Sequence, residues 1–175
     1  MRIIAGTHKG RKITPPNNLA VRPTTDRAKE ALFSIINSRY FFREKIMLDL
    51  FAGTGNITFE FASRGIEKAI AIDHNINCVK FINTNSKIFK FNISTIQSDV
   101  LNYTQNCNKK FDFIFADPPY NYKHYEELKK VIIENQLLKK DGLLIIEHNK
   151  DTVFYDDNVE VRKYGTVHFS LFYFK

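Results

Sequence analysis

The sequence predicts an α/β fold, a mostly parallel sheet with helices on both faces and an antiparallel hairpin at its end. Three observations predict it. From residue 46 onward short apolar runs alternate with helical patterns, as successive β-α-β units require. A glycine-bearing turn, AGTG at 52–55, separates the first apolar run from the helix that follows. The last two runs, VEVRKYG and TVHFSLFYF, meet through Gly165 with no helix between them, so they pair antiparallel.

Taken in order, MRII and RKIT flank the turn-prone AGTHKG and predict a small hairpin, which PPNN then ends. A helix follows in RPTTDRAKEALFSIIN, with Thr24 or Thr25 as cap and Asp26 well placed in its first turn. Ala28, Ala31, Leu32, Ile35 and Ile36 recur at helical spacing and set Arg27, Lys29, Glu30 and Ser34 on the opposite face. IMLDLF is the first strand of the sheet, and NITFEFASRG is a helix closed by Gly65. KAIAID is the second strand, followed by a helix through about residue 91; NISTIQSD and FDFIFAD are the third and fourth. A helix near 123 to 138 leads to GLLIIEH, the fifth.

With 175 residues, 43% of them apolar, the chain suits one domain with its own core. Residues 1–22 are expected to form a basic hairpin extension and residues 23–175 a single unit. No apolar stretch approaches the roughly 20 residues of a membrane span, and Gly, His and Lys interrupt MRIIAGTHKGRK too early for a signal peptide. Cys78 and Cys107 stand far apart, as reduced structural cysteines of a cytoplasmic protein would. The expectation is a monomer without metal or membrane attachment.

The net charge of +7 is unevenly placed: residues 1–45 hold ten Lys and Arg against Asp26, Glu30 and Glu44, and the rest of the chain balances. A basic segment on a neutral domain is the charge pattern of a polyanion binder, against the plainer reading of a solvated surface. Arg2, Lys9, Arg11 and Lys12 on the hairpin, with Arg22 and Arg27, are the candidate phosphate contacts.

LDLFAGTGNIT places Asp49 in the first strand, with Phe51, Gly53 and Gly55 following. Ligands of open parallel sheets bind at the carboxyl ends of the strands, where the strand order reverses. The third glycine of a dinucleotide fingerprint would fall on Thr58, so a phosphate cradle is poorly matched. Asp49 would repel a pyrophosphate and suits a cationic or amino-bearing ligand. Asp73 ends the second strand 18 residues beyond Gly55, where an acid takes ribose hydroxyls. Ser98 and Asp99 end the third, where they could accept from an adenine amino group. Each acid alone reads as readily as a helix cap; three at successive strand tips describe a nucleoside site. Without a phosphate cradle, S-adenosylmethionine fits better than NAD or ATP.

The fourth strand ends in Asp117, Pro118, Pro119 and Tyr120. An exocyclic amine on a nucleobase is a poor nucleophile, because its lone pair is delocalised into the ring. A carboxylate and a proline-fixed carbonyl can each accept one of its N–H bonds and aim that lone pair at a methyl group. Tyr120 can stack on a base withdrawn from its helix.

DLFAGTG with DPPY resembles the class I S-adenosylmethionine-dependent methyltransferases that act on exocyclic amines. MRIIAGTHKGRKI, RPTTDRAKEALFSII and KYGTVHFSLFYF resemble one family more closely, the 16S rRNA guanine-N2 methyltransferases of RsmD type. That resemblance covers essentially the whole chain. It implies a Rossmann-like seven-stranded methyltransferase sheet and methylation of one guanine in 16S rRNA of the small ribosomal subunit. It implies Asp49, Gly53 and Gly55 at the cofactor turn, Asp73 at the ribose, Asp99 at the adenine, and Asp117 to Tyr120 at the target amine. Thr58 departs from the small residue usual at its position. The signature is shared with adenine-N6 enzymes and glutamine methyltransferases. DNA enzymes generally carry an additional recognition region, and protein-directed relatives commonly have Asn at position 117. A non-catalytic RNA-binding assembly factor would be expected to have lost Asp117 or the glycine turn.

Overall fold

Near-continuous apolar runs bury β1, β2 and β4 on both faces, and this sets the architecture. The computed structural model describes residues 1–16, 19, 24–119 and 121–175. Strands β1 (Ile46–Leu50), β2 (Lys68–Asp73), β3 (Ile93–Gln97), β4 (Phe111–Ala116), β5 (Leu138–His148), β6 (Val159–Tyr164) and β7 (Val167–Tyr173) form one sheet. Its order is β3-β2-β1-β4-β5-β7-β6. The first five are parallel, and β7 pairs antiparallel with both β5 and β6. The chain runs outward from β1 through β2 to β3 and returns to β4 on β1's other side, so the strand order reverses between β1 and β4.

Among the described residues five helices cover the sheet: α1 (Asp26–Arg39), α2 (Asn56–Ser63), α3 (Ile76–Ile88), α4 (Val100–Asn106) and α5 (Tyr125–Glu134). Met47, Phe113, Phe115 and Ile145 on one face pack with Leu32, Phe33 and Ile36 of α1 and Phe61 of α2. Leu48, Ile70, Ile114 and Leu144 on the other meet Val100, Leu128 and Ile132. Thr25 caps α1, accepting from the Ala28 amide at 3.3 Å.

Four local readings of the sequence change. The stretch after β3 contains α4, which the sequence reading passed over; it is short, with only Val100 and Thr104 buried. α3 stops at Ile88 because Lys90 takes a left-handed φ of 56°, and α5 stops at Glu134 ahead of Gln136 at 50°. β5 starts at Leu138, with a register shift opposite Phe111 and Phe113 that the run GLLIIEH does not announce. The N-terminal hairpin reduces to a single antiparallel bridge between Arg2 and Lys12.

That N-terminal segment is built into the body. Ile3 and Ile13 pack with Ala52, Phe59, Ala71 and Ile82. The Ile4 and Ala5 amides donate to the two carboxylate oxygens of Glu60 at 2.8 and 3.1 Å, and the Thr7 amide donates to the Ser63 carbonyl at 2.7 Å. Gly6, at φ +83°, lies so close to α2 that a Cβ would fall 1.8 Å from the Ser63 carbonyl oxygen.

Lys29 is the main correction to the helical wheel of α1. It is 1% exposed and ion-paired at 3.6 Å with Glu60, which is fully buried. Its Nζ also donates to the Arg2 carbonyl and to Asn56 Oδ1, each at 2.7 Å. Burial pulls the ammonium below its ordinary pKa, and Glu60 works against that shift. Removing one member of a buried pair leaves the other uncompensated. Lys29→Met should therefore lower stability by about 3–5 kcal/mol, read as a shift in the urea midpoint at unchanged slope.

Candidate active site

The candidate site is a cavity of about 460 Å³ at the carboxyl ends of β1, β2, β4 and β5, over the point where the strand order reverses. Four carboxylates line it: Asp49, Asp73, Asp117 and Glu147. Among the described residues no Lys or Arg does.

Asp49 sits in mid-β1 with its backbone paired between Ala71 and Phe115. It is 2% exposed, and its Oδ2 accepts from the amide of Thr58 at 3.1 Å and from the Thr58 hydroxyl. Thr58, the departure from a small residue noted above, is thus what holds Asp49 in place. Burial pushes the Asp49 carboxyl up to about 7, against the Thr58 hydrogen bonds; the nearby Asp117 adds to the rise.

Asp117 directly follows β4 and stays in the ladder, its amide donating to the Leu50 carbonyl at 3.3 Å. Burial likewise pushes its carboxyl up to about 7. Pro118 and Pro119 line the same wall. Tyr120 lies outside the described residues. The aromatic ring seen beside the turn is Tyr122, edge-to-face on Phe51 with ring centres 5.1 Å apart. Phe51 lines the cavity and takes a left-handed φ of 62° as β1 turns toward α2.

Asp73 at the tip of β2 accepts from the Gly53 amide at 2.7 Å and from the Asn75 amide at 2.8 Å. It therefore braces the glycine turn as well as lining the cavity. Gly53 lines it; Gly55 does not. Gly55 caps α2 at φ +77°, and a Cβ there would meet the Phe59 ring at 2.9 Å and Ile82 at 3.0 Å. Its bareness makes room for Phe59 and Ile82 and permits the turn. Ser98 and Asp99 also stand outside the cavity lining. The Asp99 carboxylate caps α4 by accepting from the Asn102 amide at 2.9 Å, and the Ser98 hydroxyl donates to the Asp99 carbonyl.

The sequence reading missed several lining groups. Thr24, Thr25 and Asn56 close one side, where Asn56 Nδ2 donates to the Thr24 carbonyl at 2.9 Å. Glu147 lies at the tip of β5 and accepts from the Thr24 hydroxyl at 2.8 Å. The rule that found Asp73, an acid at a strand tip, also singles out Glu147. Cys78 lines the floor as a neutral thiol, pushed by burial up to about 11.

The six candidate phosphate contacts fare differently. Arg2 is tied to Asp26 at 3.2 Å and Glu30 at 3.8 Å. Lys9, Arg11, Lys12 and Arg27 are exposed and make no ion pair among the described residues. Arg22 lies outside the described residues. No helix among them is long and apolar enough to cross a membrane, and no group of three or more His, Cys, Asp or Glu is arranged to hold a metal.

The chain is similar to known proteins along nearly its full length. The family described as "Conserved hypothetical protein 95" matches residues 1–173. The "Ribosomal RNA small subunit methyltransferase D" of Haemophilus influenzae is 33% identical over 158 residues, 86% of this chain and 80% of that protein. A hypothetical protein of Thermus thermophilus superposes with a TM-score of 0.85 at 26% identity, covering 98% of each chain. At the level of fold alone, coclaurine N-methyltransferase bound to N-methylheliamine and SAH gives a TM-score of 0.58 at 24% identity, covering 78% of this chain and 41% of that one. The chain belongs to the family of conserved hypothetical protein 95, the RsmD-type class I methyltransferases.

Proposed function

We propose that this protein transfers a methyl group from S-adenosylmethionine to the exocyclic N2 amine of a guanine in small-subunit ribosomal RNA. One observation carries the reading: a cavity walled by carboxylates, with no Lys or Arg among its described lining residues, ends at the Asp117-Pro118-Pro119 tip. Such a wall repels phosphate and favours a ligand bearing positive charge. S-adenosylmethionine carries a sulfonium and an ammonium, and its chemistry is the donation of an electrophilic methyl. Asp49 and Asp117 would supply the anionic wall, and Asp73 the hydrogen bonds to ribose hydroxyls. Asp117 and the Pro118 carbonyl would each accept an N–H bond of the target amine. S-adenosylmethionine would supply the electrophilic methyl, and the Asp117 carboxylate would be placed to hold the proton that the methylated amine sheds. RNA as the partner is supported by the name of the Haemophilus influenzae relative and by the unpaired basic side chains of the N-terminal segment.

Measurements on the cofactor, the chemical step and the RNA test this. Because Asp49 and Asp117 ionise only near 7 in the free protein, a cationic cofactor should bind more tightly as pH rises from 6 to 8, with release of protons. Calorimetry in buffers of different ionisation enthalpy reads both effects. Asp49→Asn should weaken binding by about ten- to a hundredfold, the range of a charge-assisted hydrogen bond. The same change should stabilise the free protein at pH 8. The unfolded carboxyl loses its proton near 4 and the folded one near 7, so the wild type loses stability as pH rises through that window.

Asp117→Ala should cut turnover on small ribosomal subunits at saturating cofactor by about two to three orders of magnitude, beyond any loss of cofactor affinity. Turnover near the wild-type rate would remove Asp117 from the chemistry. Changing Lys9, Arg11 and Lys12 together to Ala should flatten the plot of log affinity against log salt by roughly two units. RNA binding at three salt concentrations reads that slope.

A further inference from the structure

Phe115 lies opposite Ile145 and Ala116 opposite Ile146 in the parallel β4–β5 ladder, so position 117 falls opposite position 147. Neighbouring positions of a parallel pair project from the same face, about 4.8 Å apart. Asp117 and Glu147 accordingly line the same cavity side by side. Glu147 is 8% exposed and held from the far side, its Oε2 accepting from the Thr24 hydroxyl at 2.8 Å. Thr24 is itself fixed, its carbonyl accepting from Asn56 Nδ2. A second carboxylate thus stands one strand away from the group placed at the target amine.

We infer that Glu147 is the residue that selects guanine, accepting the N1–H beside the N2 amine on the Watson–Crick edge. The inference rests on the guanine-N2 reading above. Guanine presents two adjacent donors there, the N1–H and the N2 amine. Adenine presents a donor beside an acceptor, because its N1 carries a lone pair. A carboxylate has only acceptors, so it meets guanine's N1–H favourably and repels adenine's N1. A site that accepts a substrate N–H loses that hydrogen bond and gains lone-pair repulsion when an analogue lacks the hydrogen, and so disfavours that analogue. The pair Asp117 and Glu147 therefore supplies both halves of the recognition. Asp117 faces the nitrogen that reacts, and Glu147 faces the neighbour that identifies the base.

The test exchanges the N1–H and 6-oxo group of the substrate for an N1 lone pair and a 6-amino group. Small ribosomal subunits are reconstituted with either guanine or 2,6-diaminopurine at the nucleotide that the wild-type enzyme labels. Diaminopurine keeps the N2 amine but carries a lone pair at N1. The wild type should prefer guanine by about a hundredfold in kcat/KM, the discrimination of one charge-assisted hydrogen bond. Glu147→Gln can turn its amide N–H toward the N1 lone pair and should shrink that preference by at least about tenfold. Both substrates are read with one preparation, so the ratio is independent of how much of the variant is folded. An unchanged preference in Glu147→Gln overturns the assignment. Failure of the wild type to label any guanine overturns the guanine-N2 reading instead, so the two failures are distinguishable.

Discussion

The ion pair between Lys29 and Glu60, closed off from water, is the contact on which the rest of the site hangs. Taking two charges out of water is costly, and such a pair persists only where hydrogen bonds satisfy what remains of each group. Here they do. Glu60 accepts from the Ile4 and Ala5 amides and from Arg64, while Lys29 donates to the Arg2 carbonyl and Asn56. The pair ties the N-terminal segment, α1 and α2 into one piece. It also sets Asn56 at the start of α2, and from there the bonds run through Thr24 to Glu147 on β5. One polar chain joins the basic N-terminal end to the far wall of the cavity.

Charge is divided along the same line. The cavity is lined by carboxylates, yet the chain carries a net charge of +7, with its excess in the first 45 residues. A phosphate backbone is attracted to the outside of the N-terminal segment and repelled from the cavity. A neutral base is the part of a nucleic acid that such a cavity admits. Arg2 illustrates that exposure alone does not make a phosphate contact, since Asp26 and Glu30 already neutralise it.

The sheet was legible because apolar runs and a glycine turn are local signals: β1, β2, β4 and the closing β6–β7 pair lie where their patterns predict. Asp73 and Asp117 were legible as acids at strand tips and Asp49 as an acid ahead of the glycine turn, and all three line the cavity. What escaped depended on which partner each residue takes in the fold. Lys29 belongs to the polar face of α1 on any wheel, and only the arrival of Glu60 makes it a core residue. Asp99 and Asp73 look alike in sequence, but a helix begins immediately after Asp99 and takes its carboxylate as a cap. Gly55 illustrates the same ambiguity, since its missing side chain makes room for Phe59 and Ile82. Glu147, at the tip of β5, carried the same strand-tip signal as Asp73 and was passed over.

Asp49 and Asp117, buried together with Asp73 close by, form an arrangement that folding alone would not select. Each raised pKa means that the free protein gives up stability at neutral pH to keep the site ionised. The penalty is concentrated where the strand order reverses, and the large apolar clusters on both faces of the sheet absorb it. A ligand carrying positive charge would relieve it, so the repulsion that weakens the free protein becomes part of the affinity for a cation. A phosphate-bearing ligand would add to the same repulsion. The electrostatic tension that makes the cavity costly to fold is therefore also what makes it selective.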